Sequence, residues 1–141
     1  MKRVLSLVLA VVMLLGCTVA LASCGMKGKI AGTYEMESIE GTITYGGYTT
    51  DLDESLYEYY RIILEKDGTA IVESRAAGST AAMEEEGTWE YEDDKIKLKT
   101  NPQGITVVEE MEWDDDTITY KANQNAQGMQ ISFTLVLKKV K

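Results

Sequence analysis

This 141-residue chain carries 23 acidic against 14 basic residues, for a formal net charge of −9, and it contains no histidine. Strong acidity disfavours binding to nucleic acid and broad adhesion to anionic lipid, so we expect no nucleic-acid partner. The lack of histidine removes the commonest general base and the commonest zinc ligand. We therefore expect a protein that is not an enzyme, with no metal site and no cofactor.

The first segment has the three-part layout of a secretory signal. Lys2 and Arg3 provide a positive start, and residues 4–22 carry no charge. This run is also nearly long enough to cross a bilayer as a helix, so a retained transmembrane anchor is the alternative interpretation. The sequence Leu21-Ala22-Ser23-Cys24 at its end resembles the lipobox of bacterial lipoproteins and favours a cleaved signal.

That resemblance implies a signal peptide over residues 1–23 and a mature chain that begins at Cys24. The cysteine would carry a diacylglycerol with fatty acyl chains such as palmitate, which would hold the protein on the extracytoplasmic side of the cell membrane. Leu14-Leu15-Gly16-Cys17 also resembles a lipobox. Cleavage there would leave an apolar tail on the mature protein and Cys24 as a free thiol, so we favour Cys24.

Residues 24–29 form the predicted tether, and residues 30–141 form the predicted domain. At about 3.5 Å per residue, the tether reaches no more than about 20 Å. We therefore expect the domain to lie close to the bilayer, with Lys27 and Lys29 near anionic headgroups.

From Ile30 onward the sequence predicts short strands joined by turns. The clearest strand is the last, in which Ile131, Phe133, Leu135 and Leu137 alternate with polar residues. Eight or so such strands are typical of a closed antiparallel barrel or a two-sheet sandwich. We predict an all-β fold, an antiparallel up-and-down barrel of about eight strands. Large inward-facing residues such as Trp89, Met111, Trp113 and Phe133 tend to fill a small barrel. Tyr60, Ile62 and Leu64 are predicted to share one face of their strand, and Ile105, Val107, Met111 and Trp113 are predicted to share one face of theirs.

One short helix is predicted at about residues 52–57. Asp51 is placed to cap its N-terminus, and Glu54 follows three residues later, as in a capping box. A helix this short needs packing partners, and it is suited to covering one end of the barrel.

Five tyrosines crowd the segment around this helix and flank Gly46-Gly47, which we interpret as a flexible loop. Aromatic side chains beside such a loop are typical of a binding mouth. We therefore name Tyr45, Tyr48, Tyr57 and Tyr59 as candidate ligand-binding residues. The alternative is that the rings pack the helix onto the barrel.

Two acidic runs are interpreted as solvated structure. Asp114-Asp115-Asp116 lacks the spacing of a calcium loop and is predicted to be a turn. Glu84-Glu85-Glu86 is predicted to be an exposed strand edge whose charges discourage aggregation.

Gly32-Thr33-Tyr34, Leu64 to Thr69, Gly87-Thr88-Trp89 and Phe133 to Lys139 are similar in order and spacing to the strand openings of small bacterial lipocalin-like lipoproteins. The resemblance implies a lipocalin-like barrel and a non-catalytic binding module for a small apolar or amphipathic ligand. The alternative function is a protein-interaction or envelope-structural module with a filled barrel. The expected partners are the membrane, through the lipid on Cys24, and a small molecule or protein.

Overall fold

The computed structural model describes residues 25–140. The predicted signal peptide, both lipoboxes and the lipidation site at Cys24 lie outside the described residues. Nine antiparallel strands make up most of the described chain: β1 Gly32–Tyr45, β2 Tyr48–Leu52, β3 Tyr57–Leu64, β4 Thr69–Ala76, β5 Met83–Glu92, β6 Lys95–Thr100, β7 Val107–Asp114, β8 Thr117–Ala126 and β9 Met129–Lys139.

The sheet closes because β1 pairs with strands on both of its sides. Its first residues, Gly32 to Glu35, pair with β3, while Tyr34 to Tyr45 pair with β9. Strands β3 to β8 each pair with the next strand along the chain. Eight strands therefore form a closed antiparallel up-and-down barrel, as predicted, and β2 is an additional strand outside it.

Strand β2 was not predicted from the sequence. Gly46 and Gly47 have φ values of 57° and 83°, which glycine adopts without steric cost. They form the two-residue turn of a hairpin in which Tyr45 pairs with Tyr48. The interpretation of Gly46-Gly47 as a flexible loop is therefore wrong.

The predicted helix is shorter than expected and has a different cap. A single 3-10 turn spans Glu54–Leu56, and the Asp53 carboxylate accepts a hydrogen bond from the Ser55 N–H at 2.8 Å. Asp51 lies in β2, opposite Thr42. Pairing in this hairpin takes up Asp51 and Leu52, which are the predicted cap and the first predicted helical residue.

One end of the barrel, which we call the covered end, is closed by helical residues 25–30. Ile30 is completely buried, and the Tyr34 hydroxyl donates a hydrogen bond to the Ile30 carbonyl. The Lys139 ammonium donates to the Lys29 carbonyl at 2.9 Å. The described part of the predicted tether is thus folded against the barrel instead of being extended.

The hydrophobic core lies toward the covered end. The alternation predicted in β3 and β9 is confirmed, since Ile62, Leu64, Leu135 and Leu137 are buried. Ile105 is 68% exposed, contrary to prediction, because it precedes β7 and does not share its inward face. Phe133 is only partly buried, packed against the core rather than within it. The opposite end, where β3 begins and β4 ends, is called the open end.

Candidate binding site

Two β-bulges shape the open half of the barrel interior. A register shift in β3 lies between Tyr57 and Tyr59, and it directs both Tyr57 and Tyr60 toward the core. A second shift in the neighbouring β1 lies between Met36 and Ser38, which leaves Met36 and Ile39 on the inward face. Bulges place an extra residue in one strand and re-aim its side chains. These two bring four side chains to one region of the interior.

That region contains a cavity of about 140 Å³. Most of its wall is apolar or aromatic, and one carboxylate lies in it. The lining residues are Met36, Ile39, Tyr57, Tyr60, Glu109, Tyr120, Phe133 and Leu135. The rings form two edge-to-face pairs, Tyr57 with Tyr60 at 5.8 Å between centroids and Tyr120 with Phe133 at 5.6 Å.

The polar groups of the cavity interact with one another. The Tyr120 hydroxyl donates a hydrogen bond to the Glu109 carboxylate at 3.2 Å. Burial raises the pKa of Glu109 above its usual range, the Tyr120 hydrogen bond lowers it, and the nearby charge of Glu85 raises it. Burial also raises the pKa of Tyr120 to about 12, with a further contribution from the Glu109 charge. The pKa of Tyr60 is raised by burial and by the Glu109 charge.

Glu85 extends this polar cluster toward the open end. Its Oε1 atom is buried and has no hydrogen-bond partner among the described residues. The prediction that Glu84-Glu85-Glu86 forms an exposed edge is therefore wrong at its middle residue. Strand β5 lies between β4 and β6 and is not an edge, so alternate side chains point inward. A groove of about 550 Å³ contains Glu85 and Tyr60 and continues to the Pro102 loop.

The barrel wall is incomplete beside the cavity. Strands β7 and β8 pair only where Glu112–Asp114 face Thr117–Thr119. Toward the open end the two strands are not paired with each other, and a cleft of about 360 Å³ separates them. Glu109 and Tyr120 line both this cleft and the cavity. These two side chains therefore form a wall that the cleft and the cavity share.

The four tyrosines named from the sequence do not converge. Tyr45 and Tyr48 are 63% and 83% exposed at the tip of the β1–β2 hairpin. Tyr59 lies outside the cavity, with the guanidinium groups of Arg61 and Arg75 4.6 Å and 5.7 Å from its ring centroid. Only Tyr57 lines the cavity.

The aspartate run forms a tight turn, as predicted. Asp115 and Asp116 have φ values of 45° and 64°, which suit a two-residue hairpin turn. The Asp116 carboxylate lies 3.8 Å from the Lys139 ammonium. Over residues 25–140 there is no group of three acidic or thiol side chains arranged to hold a metal ion. None of the helical segments within that range has the length and apolar character needed to cross a bilayer.

Glu109 and Glu85 were not predicted as site residues, although the sequence carries a signal for both. The alternation that places Val107, Met111 and Trp113 inward requires Glu109 to face inward as well. The same rule applied backward from Trp89 makes Glu85 inward. Acidic residues on an otherwise apolar face are informative because burying an unpaired charge is costly.

Comparison with known proteins does not show a family to which this chain belongs. The chain matches no model of a known protein family, and no curated protein matches it. It is similar to a crystal structure of an uncharacterized protein from Bacteroides eggerthii, with 14% sequence identity and a TM-score of 0.39. That similarity covers 74% of this chain and 98% of the other.

Proposed function

We propose that this protein is a lipid-anchored extracytoplasmic lipoprotein whose lipocalin-like barrel binds a small amphipathic molecule without catalysing a reaction. The anchor is supported by the signal layout and by the lipobox ending at Cys24. Binding is supported by the cavity between β1, β3, β7, β8 and β9. Stable attachment fits two acyl chains, since a single chain binds membranes only marginally.

The cavity is the observation that carries this proposal. Its volume of about 140 Å³ is close to that of an engineered cavity of about 150 Å³ that accepts benzene. It is smaller than most ligand pockets, which measure about 300–1,000 Å³. A ligand with one ring or a short alkyl group fits inside. A longer ligand would extend into the groove beside Tyr60.

The arrangement of anchor and cavity is consistent with ligand capture from the medium. Residues 25–30, which directly follow Cys24, lie at the covered end. The cavity, the cleft between β7 and β8 and the groove lie toward the open end. A lipid on Cys24 would therefore direct the binding site away from the bilayer.

The exposed hairpin favours the second candidate, a protein-interaction module. Tyr45 and Tyr48 are paired across β1 and β2, and both side chains are strongly exposed. Exposed aromatic residues are enriched at protein interfaces. In this alternative the core residues stabilise a scaffold and the hairpin contacts the partner.

Binding of benzyl alcohol to the purified full chain tests the first candidate. Heteronuclear NMR titration should show saturable shifts at Tyr57, Tyr120 and Phe133. Met36→Trp places an indole in the cavity and should abolish them. Glu35→Trp is the matched control, because Glu35 is exposed on the opposite face of the same strand, and it should bind as the wild type does. Absence of saturable shifts in the wild-type protein would contradict the binding module and leave the interaction module.

A further inference from the structure

We propose that the ligand of the cavity is a small organic ammonium ion, with its charged group beside Glu109 and Glu85 and its apolar part against Phe133 and Leu135. This inference rests on the proposed binding function and specifies the ligand class. Three observations carry it, namely the charges of the cavity wall, its aromatic rings and an unpaired carboxylate oxygen.

Among the described residues, the charged side chains that line the cavity and the adjoining groove are all acidic, whereas Lys95 and Lys121 line the outer cleft that Glu109 also borders. Glu109 lies in the cavity wall, and Glu85 is close enough to raise the pKa of Tyr60 and Glu109. No lysine or arginine is among the residues that line the cavity. The nearby arginines are engaged elsewhere, since Arg61 pairs with Glu73 and Arg75 with Glu58. A positively charged ligand complements this interior, and an anionic ligand is repelled by it.

The two carboxylates lack sufficient internal compensation. Glu109 accepts one hydrogen bond, from Tyr120. The buried Oε1 of Glu85 has no partner within the described chain. A buried charge or polar atom without a partner costs free energy, and a paired one costs much less. An ammonium group has three hydrogen-bond donors and a full positive charge. It can therefore donate hydrogen bonds to both carboxylates and also compensate their charge.

The aromatic lining favours the same ligand class. Four rings, those of Tyr57, Tyr60, Tyr120 and Phe133, surround the cavity. The face of an aromatic ring attracts a cation, and the attraction grows when the cation is removed from water. A purely apolar ligand would contact the rings and leave the carboxylates unpaired. A cationic ligand would contact the rings and also pair with the carboxylates.

Binding of an ammonium ion should also release a proton from Glu109 to the solvent. Burial raises the pKa of Glu109, and an adjacent positive charge favours the ionised carboxylate. The titratable groups around Glu109 are Tyr57, Tyr60 and Tyr120 in the cavity, Glu85 in the groove, and Lys95, Glu110, Glu112 and Lys121 along the cleft. Binding should therefore release protons when the pH is near or below the raised pKa.

Three probes of one shape test the proposal: benzylammonium, benzyl alcohol and benzoate. Calorimetric titration of the purified full chain should rank their affinities in that order, with benzylammonium at least about tenfold tighter than the alcohol. Equal affinities for benzylammonium and benzyl alcohol would overturn the inference and leave the proposed function intact. Failure of all three to bind would overturn both.

Two variants that each remove one negative charge show whether a preference for benzylammonium comes from the cavity carboxylate or from the net charge of the protein. Glu109→Gln keeps the side-chain shape and an acceptor for Tyr120, and it should remove most of the preference for benzylammonium. The affinity for benzyl alcohol should fall much less than the affinity for benzylammonium, because the alcohol carries no charge. Glu90→Gln makes the same change on the exposed face of β5, away from the cavity, the groove and the cleft, and should leave all affinities within about twofold. Equal losses in the two variants would assign the preference to the net charge of the protein and contradict the proposed site.

Discussion

The indole N–H of Trp113 donates a hydrogen bond of 3.1 Å to the hydroxyl of Tyr34, 79 positions earlier in the chain. The same hydroxyl donates to the Ile30 carbonyl at 2.5 Å. This chain of two hydrogen bonds connects β7 to β1 and to the helical residues that close the covered end. Burial raises the pKa of Tyr34 to about 12, although the Trp113 hydrogen bond lowers it, so the hydroxyl stays protonated and able to donate.

Replacing this hydroxyl should weaken the covered end. Tyr34→Phe would leave the Trp113 N–H and the Ile30 carbonyl without their partner, and an unsatisfied buried group costs about 1–3 kcal/mol. Denaturant titration should show a loss of that size in the free energy of unfolding. Tyr48→Phe is the control, because Tyr48 is 83% exposed, and it should change the free energy by less than about 0.5 kcal/mol. Equal effects would contradict the structural role of the Tyr34 hydroxyl.

Truncations along β9 should lower the free energy of unfolding by amounts that depend on where each side chain points. Leu135 is 4% exposed, so Leu135→Ala should cost about 2–5 kcal/mol. Phe133→Ala should cost less, because Phe133 is partly buried and already borders a cavity. Thr134→Ala, on the outer face, should cost under about 1 kcal/mol. Chemical denaturation of the three variants measures the order, and a cost for Phe133→Ala above that for Leu135→Ala would contradict the cavity beside the ring.

The carboxyl group of Glu109 should make stability depend on pH. Its pKa is raised by burial above the usual 4.5, so the folded state holds this proton at pH values where the unfolded state has lost it. The free energy of unfolding contributed by Glu109 is therefore complete below about pH 4.5 and decreases as the pH rises through the raised pKa. Glutamine does not titrate, so the stability of Glu109→Gln relative to the wild type should increase over the same interval. A pH-independent difference between the two proteins would contradict burial of this carboxyl.

Fatty-acid labelling tests the anchor. Cys24→Ala should abolish incorporation of labelled palmitate in a bacterial host, because the modified thiol is lost. Cys17→Ala should leave labelling nearly unchanged, because Cys17 lies within the predicted signal peptide. Labelling that survives Cys24→Ala and disappears with Cys17→Ala would move the cleavage site to Cys17.

The orientation of the barrel at the membrane is testable with two probe positions. Gly28 lies in the helical segment at the covered end, and Ser79 follows β4 at the open end. Quenchers at the lipid surface should therefore act more strongly on a fluorophore at position 28 than on one at 79. Lys27 and Lys29 should strengthen this approach by about 1 kcal/mol each on anionic vesicles. Equal quenching at the two positions would contradict a closely tethered covered end.

The sequence by itself determined the class of fold, the turns and most strand faces. Alternation of apolar and polar residues has a period of two, so one buried residue such as Leu137 fixes the faces of its whole strand. Gly68 permits the positive φ that its turn requires, and Pro102 fixes its own φ, so the turns that contain them could be predicted without tertiary information. The same local logic extends to Glu109, whose inward position follows from Met111 two residues later.

Only the tertiary structure decided where the chain departs from strict alternation and how distant strands meet. The bulges beside Tyr57 and Met36 shift the face of every residue that precedes them, and no local signal marks such a shift. Pairing of β7 with β8 stops after Thr119, and this opening depends on how both strands fit the rest of the barrel. The tyrosines named from the sequence therefore lie on different sides of the barrel wall, because proximity along the chain does not determine whether a ring points inward or outward. Glu109, Tyr120 and Tyr60, from three strands, came together because closure of the sheet brings inward side chains from distant parts of the sequence into one interior.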